Sequence, residues 1–276
     1  MTPPASPPAA LRAALAATLP GTAGQVWRRL AGGRVNRCWR VGAVVVKAHD
    51  PAGATALFPN DPAAEAAALR LAAAAGLAPG LLAEGQGWIA WAHVPGRPWR
   101  AGAARAAALI GRVGALPVPA GAFRAAPNGS AALRAAAALA PPADDLPPPP
   151  PDPGVPPVAP RLVHGDAVPG NLILGPARDG ADDRLIDWQC PALGDPVDDI
   201  AAFLSPAMQV LYRGRPLSPG EAAAFLAAWP RQDEVARYRL LAPLLHWRLA
   251  AHCAARARRG DQGYAAAAAL EIAALR

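Results

Sequence analysis

The stretch from Leu162 to Ala202, LVHGDAVPGNLILG followed by a polar turn and RLIDWQCPALGDPVDDIAA, decides how this chain is read. Its pattern is strand, tight loop, strand, turn, strand, then a loop entering a helix. Leu162-Val163 leads into His164-Gly165-Asp166, and Asn171 opens the apolar run Leu172-Ile173-Leu174. Gly175 to Asp183 is polar, with Gly180 and three aspartates, which suits a hairpin connection. Leu185-Ile186 then delivers Asp187. Two strand ends therefore converge, each presenting carboxylate or amide oxygens beside a loop.

Such oxygens suit phosphoryl transfer from a nucleotide. That reaction needs a carboxylate to accept or orient the proton of the attacking hydroxyl, and oxygen ligands for a hard Mg²⁺ ion on the phosphates. Mg²⁺ keeps several waters, so one asparagine and one aspartate suffice. Asp-x-x-x-x-Asn followed by an aspartate after the next strand is the protein-kinase order. Here Gly165 stands where those enzymes have arginine, and Asp187-Trp188-Gln189 replaces D-F-G. Asp and Asn also favour caps and turns, but three blocks in the right order argue for chemistry.

Those blocks, His164-Gly165-Asp166…Asn171, Ile186-Asp187-Trp188 and Gly194-Asp195-Pro196…Asp199-Ile200-Ala201, resemble the aminoglycoside phosphotransferase and choline kinase family. The likeness is nearest to its bacterial choline and thiamine kinase-like members. It implies an α+β, two-lobed, protein-kinase-like fold. A small N-terminal lobe would hold an antiparallel sheet and one helix, and a larger C-terminal lobe would be mostly helical. The resemblance runs over residues 25–275 and leaves the proline segment and the Ala-rich helices unmatched. Val168-Pro169 replaces a polar pair often found in the family loop, and Gln189 stands where Glu is frequent.

At 276 residues the chain is long enough for two domains or one two-lobed unit. The expected division is 1–94 for a nucleotide-binding lobe and 95–276 for a catalytic and substrate-binding lobe. Residues 141–160 form a proline-rich connection, read as a stiff polyproline-II surface segment. Cys38, Cys190 and Cys253 have no metal-ligand spacing and suggest a reducing compartment. No apolar run of membrane-spanning length is free of charge or proline, and the amino terminus lacks a basic leader. A cytoplasmic protein with no membrane role is expected. The net charge of +7 is spread along the chain without basic-aromatic stacking motifs, so no nucleic-acid partner is expected either. No protein partner is evident.

Of the 27 basic residues only Lys47 is a lysine, and it ends the strand run Val44-Val45-Val46. A chain that uses arginine elsewhere keeps one compact ammonium, the group suited to a point contact with phosphates. Lys47 stands where the V-A-I-K lysine stands in kinases. Asp61-Pro62 opens a helix, Gly76 closes it, and Glu65 in its first turn is either dipole compensation or the partner that fixes Lys47. Gly32-Gly33-Arg34-Val35-Asn36 is a glycine turn over which phosphates can lie. The string LAGGRVNRCWRV is similar to the first hairpin of choline and thiamine kinases, which brings in Gly32, Gly33 and Asn36. Pro95-Gly96 matches the family's hinge, so Ala92 and Val94 are expected to offer backbone groups to adenine.

The resemblance then implies an ATP-dependent enzyme. Asp166 orients or deprotonates a substrate alcohol, Asn171 and Asp187 hold Mg²⁺, and Lys47 braced by Glu65 contacts the phosphates. His164, Asp195 and Asp199 order the loops. Beyond Ala202 ten arginines face five acids, a poor setting for a polycation. A monocationic alcohol such as choline, ethanolamine or thiamine is the expected acceptor, with Asp198 as an attracting charge and Trp188 as a cation–π partner. The alternatives are an aminoglycoside phosphotransferase and a catalytically silent kinase-like adaptor.

Overall fold

The computed structural model describes residues 6–31, 33–55, 57–138, 146–177 and 179–275. The N-terminal part is built on a five-stranded antiparallel sheet. Helix α1 (Ala9–Thr18) precedes β1 (Trp27–Arg29), β2 (Arg37–Val41) and β3 (Val44–Ala48). Helix α2 (Pro62–Ala74) leads to β4 (Leu81–Gly85) and β5 (Trp88–Ala92), and the sheet order is β1-β2-β3-β5-β4.

Register sorts the side chains. Trp39 pairs with Val46 and Val46 with Ala90, so these stand on one face. They form a cluster there with Trp88, Ala83 and with Leu11 and Leu15 of α1. Cys38, Lys47 and Ile89 align one residue along and face the other way, as the period of two requires. A slip of one residue would exchange Lys47 for valine at the site. The first helix thus closes the outer face of the sheet.

Helix α2 follows its signals. The Asp61 carboxylate accepts from Ala63 N at 2.9 Å and Ala64 N at 3.1 Å, with Pro62 in the first turn. At its other end Leu77 N donates to Ala72 O and Gly76 N to Ala73 O, a Schellman closure.

The C-terminal part starts with β6 (Arg97–Pro98), α3 (Ala103–Gly111) and α4 (Ser130–Ala138). Residues 161–194 supply β7 (Arg161–Val163), β8 (Leu172–Leu174), β9 (Arg184–Leu185) and β10 (Ala192–Gly194). These short strands pair as β10-β7 and β6-β8-β9. Helices α5 (Val197–Leu204), α6 (Pro206–Arg213), α7 (Pro219–Ala228), α8 (Gln232–Arg258) and α9 (Tyr264–Ala273) complete it. Two of the strands, β6 and β10, are too short to read from periodicity. Leu240 of α8 is 58% exposed. Leu241, Leu244 and Leu245 share the inward face, and Leu240 lies about 100° around the helix from Leu241.

Residues 146–160 carry neither helix nor strand, while 141–145 lie outside the described residues. The connection is pinned at both ends. Trp247 Nε1 donates to Pro147 O at 2.8 Å, and Ser130 Oγ accepts from Val155 N at 2.9 Å.

Candidate active site

The loop after β7 is held from below by α5. Asp199, in the first turn of that helix, accepts from His164 N at 2.8 Å and Gly165 N at 2.9 Å. Gly165 has φ +75°, and a Cβ there would collide with the Cys190 carbonyl oxygen. Only glycine meets both demands. The His164 ring accepts from Asp166 N at its Nδ1 and reaches Ile186 O with its Nε2, so Nε2 carries the proton. Burial depresses its pKa to about 4, and the ring stays neutral. His164 orders the loop, as expected.

Asn171 turns its amide back on the loop. Its Nδ2 donates to Asp166 O at 2.9 Å and Asp166 Oδ2 at 3.0 Å. Both N–H bonds are thereby used, and the amide oxygen is left toward the cleft that Asn171 lines. Ile186 N donates to Asn171 O, which draws the next loop alongside. Asp187 then adopts φ +63°, the one non-glycine residue in the left-handed region among those described. Such a conformation is uncommon and gathers at functional turns, and aspartate tolerates it better than most residues.

Lys47 completes the cluster from the sheet. Its Nζ lies 2.9 and 2.7 Å from the two Glu65 oxygens and also contacts Asp187 Oδ1. Lys47 and Glu65 are both fully buried, and His49 Nε2 lies 2.7 Å from Glu65 Oε2. Burial pulls the ammonium pKa down, but Asp187 and Glu65 outweigh it and the net direction is up. Burial and the nearby Asp187 charge hold the Asp166 carboxyl well above its usual range, against the hydrogen bond from Asn171.

Asp166, Asn171 and Asp187 line a cleft of about 510 Å³ between the sheet and the helical part, with the buried Lys47–Glu65 pair in contact with Asp187. Leu30, Cys38, Val45, Trp91, Ile173 and Ile186 make its apolar inner walls. Val94 lines it too, and its N–H has no backbone acceptor among the described residues. Ala92 is not on the wall and its N–H goes to Gly80 O, and the His93 N–H goes to Ala43 O, so Val94 keeps the unengaged backbone donor of the expected pair among the described residues. Gly33 lines the mouth, where a Cβ would stand 2.8 Å from Asn36 O. Gly32 lies outside the described residues. Asn36 borders the cleft with its amide already engaged: it bonds Asn60, Asp50 N and the Gln189 oxygen. It fixes the hairpin rather than presenting free donors.

The oxygen set fits a hard divalent cation. Asn171 offers an amide oxygen, and Asp187 a carboxylate whose side chain is 30% exposed. Among the described residues no cluster of three or more His, Cys, Asp or Glu could hold a metal unaided. One neutral and one anionic oxygen, with phosphates and waters to fill the shell, is how Mg²⁺ is usually held.

Two expectations about the acceptor do not survive. Trp188 has no exposed surface, packs against His164 at 4.5 Å and donates its indole N–H to Leu185 O, so no cation can reach its face. Asp198 is paired with Arg248 at 3.3 Å. Asp195 holds the entry to α5, accepting from Val197 N and from Arg237. Sequence reading missed Arg34. Its guanidinium lies 5.5 Å from the Tyr212 ring and 5.3 Å from the Tyr264 ring, and it donates to Leu211 O at 2.9 Å. Arg256 in turn donates to Arg34 O. No local signal marks a contact across 177 residues.

Comparison with known proteins follows the same lines. The chain is similar over most of its length to a choline/ethanolamine kinase family protein from Mesorhizobium loti. The TM-score is 0.62 at 19% identity, covering 96% of this chain and 92% of that one. The choline kinase of Streptococcus pneumoniae gives 0.64 at 14% identity, covering 96% and 100%. A spectinomycin phosphotransferase, solved with ADP and spectinomycin, gives 0.56 at 11%, covering 95% and 92%. At such identities the likeness establishes the two-lobed, protein-kinase-like fold. No curated protein matches the sequence. The family model described as "Phosphotransferase enzyme family" does match, over residues 26–244. That span runs from the first strand through the catalytic loops into α8, and the chain belongs to the phosphotransferase enzyme family.

Proposed function

We propose that this protein transfers the γ-phosphoryl group of ATP to the hydroxyl of a small molecule. The observation that carries the reading is the convergence of Asp166, Asn171, Asp187 and the Lys47–Glu65 pair on one cleft. Neighbours solved with nucleotides support it. Asp166 takes the proton as the acceptor oxygen bonds to phosphorus and the bridging oxygen leaves with ADP. Asn171 Oδ1 and Asp187 would hold Mg²⁺, which neutralises phosphate charge when bound. Lys47, aimed by Glu65, meets the α- and β-phosphates, and Val94 N–H meets the base. Neutral His164 keeps Asp166 in place. We place the boundary between the nucleotide lobe and the acceptor lobe at 94/95. There β5 has ended, and a Cβ on Gly96 would stand 2.6 Å from Leu174 O.

A choline-like cationic acceptor remains a second reading, favoured by the names of two neighbours. The test is Mg-dependent ATP consumption with choline, ethanolamine, thiamine, an aminoglycoside and acidic alcohols in parallel. One acceptor is expected to stimulate turnover, and Asp166→Asn to lower it by about 10²- to 10⁴-fold, the range for general-base loss. Absence of nucleotide binding to the intact chain would sink the reading.

A further inference from the structure

A second cavity, of about 360 Å³, adjoins the nucleotide cleft. The two share Phe58 and His252 as walls, and Gly165 lines the second cavity while Asp166, next in the chain, lines the cleft. A molecule in the second cavity therefore sits against the backbone of the catalytic loop. Its volume suits a small ligand. Phe58, Val163, Ala137, Leu245 and Leu249 give it apolar walls.

Its charges are lopsided. Arg124, Arg248 and Arg259 line it against one acid, Asp198. Asp198 is already bonded to Arg248, and both side chains are largely buried, at 15% and 13% exposure. Arg124 and Arg259 have no hydrogen-bond or ion-pair partner from their side chains among the described residues. The shared His252 adds no charge near neutrality, since burial and the adjacent arginines lower its pKa to about 3. Two guanidinium groups thus lack a hydrogen-bonded acid, and three arginines against one aspartate leave the cavity lining net positive. Nor do the described residues form an aromatic cage there. The Phe58 ring is met edge-on by His252 at 4.5 Å, and the Trp247 N–H is tied to Pro147 O.

We propose that this cavity is the acceptor pocket and that it selects an alcohol carrying an anionic group, a carboxylate or a phosphate monoester. The direction of transfer rests on the phosphotransferase reading; the charge selection does not. Arg124, which has no side-chain partner of its own, holds the anion through forked hydrogen bonds that an ammonium group cannot accept, and Arg248 and Arg259 add positive charge around it. The acceptor hydroxyl is then presented past Phe58 to Asp166.

The test is calorimetric binding to the full chain of benzyl alcohols that differ only in the para substituent: carboxylate, phosphonate, hydrogen or trimethylammonium. Both anions are expected to bind about tenfold or more tighter than the neutral and cationic members. Arg124→Gln is expected to weaken the anions about ten- to hundredfold, as loss of a charge-assisted hydrogen bond does. Arg124→Lys should restore part of that loss, and a fluorescent ATP analogue monitors folding of each variant. Which anion binds tighter tells carboxylate from phosphate. Binding of the ammonium as tight as the anions, no binding by any member, or an anion preference untouched by Arg124→Gln would overturn the proposal. Nucleotide binding intact with no anion preference overturns this inference alone. Anion preference without nucleotide binding overturns only the kinase reading.

Discussion

Lys47 is the residue on which the site turns. It is the one lysine of the chain, fully buried, with Glu65 and Asp187 on its ammonium. The slot is cut for a point charge, and a guanidinium is larger and planar. Lys47→Arg is expected to lower kcat/KM by about a hundredfold or more, in line with the 3–5 kcal/mol that breaking a buried pair costs. Steady-state kinetics with Mg-ATP would read it, and near-normal activity would remove Lys47 from the phosphate site. This residue was legible because composition singled it out; that His49 also leans on Glu65 was not. A second prediction concerns protons. Above about pH 6.5 His252 is neutral whether the chain is folded or not. Below that the unfolded chain takes up a proton that the fold, with the pKa near 3, refuses, so stability falls with pH. Asp199, pushed by burial to about 7, acts in the opposite sense: its contribution grows as pH falls. The informative quantity is therefore the difference between wild type and His252→Asn. Its slope should be about 1.4 kcal/mol per pH unit between pH 6 and 4, measured by urea unfolding.

At the level of elements, the loop that carries Asp166 depends on Gly165 and the sheet side of the site on α2. Gly165→Ala adds a Cβ against the Cys190 carbonyl at a positive φ. It is expected to cost about 3 kcal/mol or more, among the severe class of single substitutions, and to abolish turnover. Asp61→Ala removes only an N-cap from the helix that carries Glu65 and should cost about 1 kcal/mol. Chemical denaturation of the pair separates a strained backbone from a lost cap; equal, small effects would mean that the loop relaxes around alanine. Helix α2 was legible from its cap, its proline and its glycine. The pairing of β10 with β7 was not, because three-residue strands carry no usable period.

For the molecule as a whole, the notable contact is the one that joins the glycine hairpin to the last helices. Arg34 lies between Tyr212 of α6 and Tyr264 of α9, and Arg256 of α8 donates to its carbonyl. Two cation–π contacts and two hydrogen bonds, from Arg34 to Leu211 O and from Arg256 to Arg34 O, hold the hairpin over the mouth of the cleft. Arg34→Ala is expected to weaken binding of an ATP analogue about tenfold, the scale of partly desolvated cation–π contacts. Faster amide exchange at residues 33–36 should accompany it. Unchanged affinity and exchange would show that the hairpin stays closed without Arg34.

The residues proposed to bear the chemistry could be named from the chain alone. Phosphoryl transfer restricts Asp166, Asn171, Asp187 and Lys47 in type and order, and strand and helix signals around them are local. What they pair with was decided only by the tertiary structure. Trp188 was expected to face a ligand, but β9 ends at Leu185 and Asp187 turns left-handed, so the alternation lapses and the indole lies under His164. Asp198 was expected to attract a cation, but Arg248, fifty residues on, neutralises it. The net charge of a cavity is a sum over distant segments, here from Arg124 to Arg259, and no stretch of sequence contains that sum.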